Sequence, residues 1–145
     1  MRVIFSRKGF DSAAGGVPSP IIDERPFSLP IPTRMPTPTT YERLNGAYGS
    51  IVEDLTNKKI GRSSTCHLDP DIDAHILPRL PGWRGALGQT GAAQSHLRNQ
   101  KVAPGDLFLF WGLFRTAGRG SQWTFYGPKQ HRIFGWLQIG ELLDL

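Results

Sequence analysis

From Leu107 to Gly140 the chain carries no acidic residue, and that span holds two long apolar segments separated by a basic, aromatic stretch. Nothing else in the sequence narrows the fold so much. Pro104-Gly105-Asp106 leads into it with a turn signal, Pro fixing one backbone dihedral and Gly supplying the permissive one. Leu107-Phe108-Leu109-Phe110-Trp111 follows as a continuous apolar run, the pattern of a strand covered on both faces. His131 to Leu143 reads as a second long strand, with Gly135 and Gly140 where a strand must bend, bulge or admit another backbone. Two such strands put a sheet at the centre, and the upstream segments are read as what covers it.

At 145 residues the chain can bury well over half of its unfolded surface. Residues 1–145 are therefore read as a single domain, with a proline-rich extended segment, 17–40, inside it. No apolar run approaches the ~20 residues that span a bilayer, so no membrane helix and no membrane partner are expected. Met1-Arg2-Val3-Ile4-Phe5 is a short strand pattern that stops at Ser6-Arg7-Lys8 and has no signal-peptide core. The lone Cys66 excludes an internal disulfide framework and fits a reducing cytoplasm. A net charge of +5 is consistent with a polyanionic partner, although many ordinary proteins are as basic.

Arg2 to Phe5 is expected to be the first strand, delivering Ser6 to Gly16 as a polar, Gly-rich loop. Such a loop can turn backbone N–H groups and the Ser6 hydroxyl toward an anion, with Arg7 and Lys8 supplying charge. It lacks the Gly-Lys-Ser/Thr ending of a P-loop. A glycine hairpin with solvated charges is the competing reading. The seven prolines from Pro18 to Pro38 confine their segments to sheet edges or cover strands, because each removes a donor. Thr40 begins a capped turn, and Tyr48, Ile51, Val52 and Leu55 at helical spacing predict a helix over roughly 47–55.

Cys66 to His75 gathers two His and three Asp in ten residues. Acid–base chemistry is one reading of this cluster, and a capped turn leading into a short helix through Ala74 to Leu77 is the other. The spacings of dedicated metal sites are missing, so neither a metal nor a cofactor is expected. His67 and Asp69 lie two apart and would project to the same side of an extended segment. Trp83 is read as a core anchor, with base stacking as the alternative. Thr90 to Gln100 predicts a helix capped by Thr90, whose small residues suit close packing on a sheet. Gln94 sits on one of its stripes and His96 on another. Gln89 and the start of this helix are placed to meet the first loop, because helix N-termini favour negative charge. Farther on, Arg115, Arg119, Lys129, His131 and Arg132 surround the stretch between the two long strands, interleaved with Trp123, Phe125 and Tyr126. Cations beside rings suit phosphate contact and base stacking.

Several long strings carry a family resemblance: Phe5-Ser6-Arg7-Lys8-Gly9-Phe10-Asp11-Ser12, His67-Leu68-Asp69-Pro70-Asp71, Gly88-Gln89-Thr90-Gly91-Ala92-Ala93-Gln94-Ser95-His96-Leu97 and Pro104 to Gly112. Together they resemble the nucleotide modification associated domain, type three, and the likeness runs nearly end to end. It implies a component of prokaryotic and phage systems that modify DNA bases, without an established reaction. Members continue beyond the position of Leu145, so a short or truncated member is expected. The strand order also resembles the small PUA, EVE and ASCH barrels, which bind nucleic acid or modified bases. The expected fold is thus α+β: a small, mixed, partly open β-barrel with two to three short helices.

Two functional readings follow. The first is a binding module for DNA, RNA or a free nucleotide, in which Arg115, Arg132 and Trp123 receive the ligand together with Ser6, Arg7, Lys8, Gln89 and Gln94. The second is an enzyme on nucleotides or modified bases, with Asp11 or Asp69 as base and His67 or His96 as proton shuttle. Catalysis requires the three polar stretches to converge in one cleft, and a reader does not. A structural adaptor that binds other proteins of a modification system is a third possibility.

Overall fold

The structure is a computed structural model and describes residues 1–143. Among them run the strands β1 (Val3–Arg7), β2 (Ser19–Ile22), β3 (Arg25–Pro26) and β4 (Ile31–Pro32), then a 3-10 turn at Tyr41–Arg43. The helix α1 (Tyr48–Leu55), the strand β5 (Cys66–His67), the helix α2 (Gly91–Asn99), and the strands β6 (Leu107–Arg119) and β7 (Trp123–Gln138) complete the order. This is the mixed α+β class expected from the sequence, with two short helices. The strand pairs trace an open path among the described residues.

β6 organises the sheet. One of its edges takes β1 in parallel at Val3↔Leu107 to Arg7↔Trp111, then β2 in parallel at Ser19↔Phe114 to Ile21↔Thr116. Its other edge pairs with β7 in antiparallel fashion along nearly the whole length. β2 and β3 close a two-residue hairpin through Asp23 and Glu24, both in the left-handed region (φ 49° and 66°), as this tight turn requires. Pro26 sits in β3 at the edge of the main sheet and Pro32 in the separate pairing of β4 with β5, where a missing N–H is tolerated.

From Leu107 to Phe114 the even positions of β6 are the buried ones, Phe108, Phe110, Gly112 and Phe114, and past the irregularity at Arg115 burial shifts to Ala117. Phe108 and Phe110 pack with Ile139, Ile4, Phe134 and Leu137 into one core. A second core gathers Phe10, Leu29, Tyr41 and Cys66 with Tyr48, Ile51, Val52 and Leu55 of α1. Each large side chain buried there contributes about 2–3 kcal/mol of transfer free energy. The Tyr41 hydroxyl stays satisfied by donating to the Pro30 carbonyl at 2.6 Å. α1 ends where Asn57 and Lys58 turn left-handed (φ 52° and 63°) and the Thr56 hydroxyl donates back to the Val52 carbonyl at 2.7 Å.

Several expectations need correction. β7 begins at Trp123, well before His131, and ends at Gln138, so Gly140 lies past the strand. The loop between the two long strands is only Gly120 to Gln122. Gly135 does mark a bulge: the register steps from Phe110↔Gly135 to Trp111↔Ile133, leaving Phe134 as the extra residue. A Cβ at Gly135 would lie 2.5 Å from the Ile72 side chain, so this position also admits a close neighbour. No helix forms over 74–77; Asp71 bridges Ala86 instead. α2 starts after Thr90, yet the Thr90 side chain makes no cap bond and no residue of the helix is buried. Its Leu97 touches the Phe108–Phe110 core only at the margin. No helix among the described residues is long and apolar enough to cross a membrane.

Candidate functional site

β1 ends in a cluster of paired charges. Lys8 Nζ lies 3.1 Å from Asp69 Oδ2, with both side chains largely buried, and Gly88 N–H donates to Asp69 Oδ1 at 3.3 Å. One carboxylate therefore ties the first loop, the His-Leu-Asp-Pro-Asp turn and the approach to α2. Asp11 organises its own loop, accepting N–H bonds from Ala13 and Ala14 at 2.8 and 2.7 Å, and sits 3.6 Å from Arg7. Close by, Arg79 grips Asp71 with two guanidinium nitrogens, at 3.0 and 2.5 Å, and lies 4.1 Å over the Trp83 ring. Trp83 is thus a half-buried platform for Arg79 rather than the core anchor expected.

A cleft of about 720 Å³ adjoins this cluster, lined by Asp69, Asp71, Asp73 and His75 with Phe27 and Tyr48. Of the residues proposed for catalysis only Asp69 lines it; Asp11, His67 and His96 do not, nor does Gln94. His67 is exposed on β5, opposite Ile31, and His96 is exposed on α2. Gln89 and Gln94 are half-buried near either side of the α2 start, and Ser6 is half-buried opposite Phe110. Cys66 is buried beside β4, and burial pushes its thiol up to about 11, which leaves it a packing residue. Asp106 proves structural: it accepts the Arg2 and Ala103 N–H groups at 2.9 and 3.0 Å, and those bonds hold its carboxyl below the usual range.

The far end of the sheet differs in kind. A second cleft of about 780 Å³ lies between the Asp23-Glu24 turn and the β6–β7 hairpin, and Arg119, Trp123, Tyr126, Gln130 and Arg132 line its hairpin wall. Arg119 sits 5.9 Å from the Trp123 ring, and Arg132 donates to Gln130 at 3.1 Å. The Trp123 backbone N–H is held by Asp54 of α1 at 3.0 Å, while its indole N–H is buried without an acceptor among the described residues. Asp23 and Glu24 form the opposite wall.

The register divides the basic residues that the sequence groups together. Arg115 pairs with Lys129 and Leu113 with His131, whereas Gln130 pairs with Phe114 and Arg132 with Gly112. Alternation along a strand then sends Arg115, Lys129 and His131 to one face, and Gln130 and Arg132 to the other. Arg115 lies 5.7 Å from the Phe125 ring and donates to the Gly127 carbonyl at 2.7 Å. Arg119 and Tyr126, which belong to the cleft, stand in the basic, aromatic stretch that the sequence singles out but are not among the residues read there as receiving the ligand.

The family model described as nucleotide modification associated domain 3 matches residues 2–145 of this chain, which belongs to that family. No curated protein and no solved structure matches it.

Proposed function

We propose that the protein is the nucleic-acid-binding component of a cytoplasmic base-modification system, and that a nucleotide unit of DNA or RNA, or a free nucleotide, enters the cleft beside the β6–β7 hairpin. One observation carries this reading. Arg115, Arg119, Lys129 and Arg132 have no carboxylate in ion-pair range among the described residues, whereas Lys8, Arg7 and Arg79 are each matched to an aspartate. An unanswered guanidinium beside an aromatic wall suits a phosphate next to a flat ring. Asp23 and Glu24 on the facing wall would repel a second phosphate but accept hydrogen bonds from an amino group or a sugar hydroxyl. A single nucleotide, oriented phosphate to the arginines and base or sugar to the acids, satisfies both walls.

The test is thermal stabilisation by a panel of unmodified and modified nucleoside monophosphates, since a ligand that binds only the folded state raises its melting temperature. The expected result is a rise for the wild type that Arg119→Ala/Arg132→Ala abolishes while leaving the ligand-free melting temperature unchanged. A rise that survives the double substitution contradicts the assignment of the cleft.

A further inference from the structure

On the outer face of the sheet, cross-strand pairing lines up three rows. Val3, Leu107 and Gln138 form the first, Phe5, Leu109 and Trp136 the second, and Arg7, Trp111 and Ile133 the third. This face is open to solvent: Phe5 is 64% exposed, Trp136 65%, Ile133 54% and Val3 47%. Monomers rarely leave so many large apolar side chains together on one surface, and such a patch marks a place where something docks. Both helices pack elsewhere, α1 in the Tyr41 core and α2, through Leu97, at the Phe108–Phe110 core.

The charge around the rings narrows the occupant. None of the three strands carries a carboxylate. Arg7 lies 5.3 Å over the Trp111 ring and stays 45% exposed despite its loose pairing with Asp11, and His131 meets the same ring edge-on at 5.3 Å. Arg115 and Lys129 continue the face beyond them. A second copy of the chain would bring the same cations with no acid on these strands to answer them. A duplex keeps its bases stacked inside, where sheet side chains cannot lie flat against them.

We propose that this face docks unpaired nucleic acid, with bases laid on Phe5 and Trp136 and the phosphates running past Arg7, Lys129 and Arg115. Phe5 and Trp136 stand two strands apart, about 10 Å, which leaves room for each to take a separate base. The family's link to nucleotide modification selects the polyanion; the docking face stands whether or not the cleft takes a nucleotide.

The experiment is fluorescence anisotropy with a mixed-sequence single-stranded DNA of about ten nucleotides, within the range one small domain covers, its RNA counterpart, and the matching blunt duplex. Phe5→Ala and Trp136→Ala are compared with wild type and with Arg119→Ala/Arg132→Ala. Both ring positions are exposed, so melting temperatures should hold. The expected result is binding of a single strand in preference to duplex, weakened roughly five- to a hundred-fold by each ring substitution. Duplex bound as tightly as single strand, or single-strand affinity unmoved by both ring substitutions, overturns the proposal. So does a wild type that ignores every oligonucleotide but binds phosphatidylserine vesicles, or forms a dimer that Phe5→Ala disperses. Because the cleft is tested separately with mononucleotides, failure of one site does not imply failure of the other.

Discussion

At the end of β1, Lys8 is held 3.1 Å from Asp69 and Arg79 grips Asp71; at the far hairpin, Arg119 and Arg132 have no carboxylate within ion-pair distance among the described residues. Both regions are basic, both sit beside aromatic rings, and both read from sequence as anion sites. They differ in what the fold has already done with the charge. Near β1 it joins segments distant in sequence: the Lys8–Asp69 pair spans 61 positions and the Gly88–Asp69 bond another 19. Around the hairpin the cations touch rings, the Gly127 carbonyl and the Gln130 amide, none of which cancels their charge. A cation marks a binding surface only when the fold has not already neutralised it.

The sharpest way to break this comparison is to remove Lys8. Lys8→Ala strands a largely buried Asp69 carboxylate, and we expect a loss of about 2–3 kcal/mol in urea unfolding. Lys8→Met/Asp69→Leu should recover most of it, because the apolar pair leaves no charge uncompensated. Arg119→Ala/Arg132→Ala should shift stability by no more than about 0.5 kcal/mol. On the outer face, Arg115→Ala/Lys129→Ala should flatten the salt dependence of single-strand binding by about 1.4 in log–log slope, two phosphate contacts at about 0.7 each. An unchanged slope would place the phosphates elsewhere.

Two smaller effects come from groups outside either site. Hydrogen bonds from Arg62 pull the Glu53 carboxyl down to about 2. Its folded value lies below its unfolded one, so its contribution is present above about pH 4.5 and fades as pH falls toward 2. Arg62→Ala should flatten that part of the acid unfolding curve. Burial raises the Cys66 thiol from 9.0 to about 11, so its contribution is present below pH 9 and fades as pH rises toward 11. Native Cys66 should accordingly resist thiol reagents at neutral pH and react at the rate of unfolding; rapid labelling would show the second core to be open.

Much of the fold was legible because it is written in local periodicity. The turn before Leu107, the helix through Tyr48, Ile51, Val52 and Leu55, and the bulge at Gly135 each depend on residues a few positions apart. The full length of β7 was not, since Lys129, Gln130, His131 and Arg132 form a polar run where a buried strand would be apolar. The residue types of Phe5 and Trp136 do not tell which side of the sheet each takes, and only pairing with Leu109 reveals that all three face outward. The same dependence on register separates Arg115 from Arg132. Asp11 and Asp69 read from sequence as candidate bases; that Asp11 caps its own loop and Asp69 pairs with Lys8 depends on partners that lie partly beyond the reach of local patterns.

The most direct measurement is to follow the four indole N–H signals by NMR during titration with a single-stranded oligonucleotide, because the tryptophans sample both regions. Trp123 lines the hairpin cleft, Trp111 and Trp136 lie on the open sheet face, and Trp83 sits beneath Arg79 beside the ion-paired cluster. The account predicts that Trp111, Trp123 and Trp136 move while Trp83 stays in place. Movement of Trp83 with the other three unchanged would contradict it.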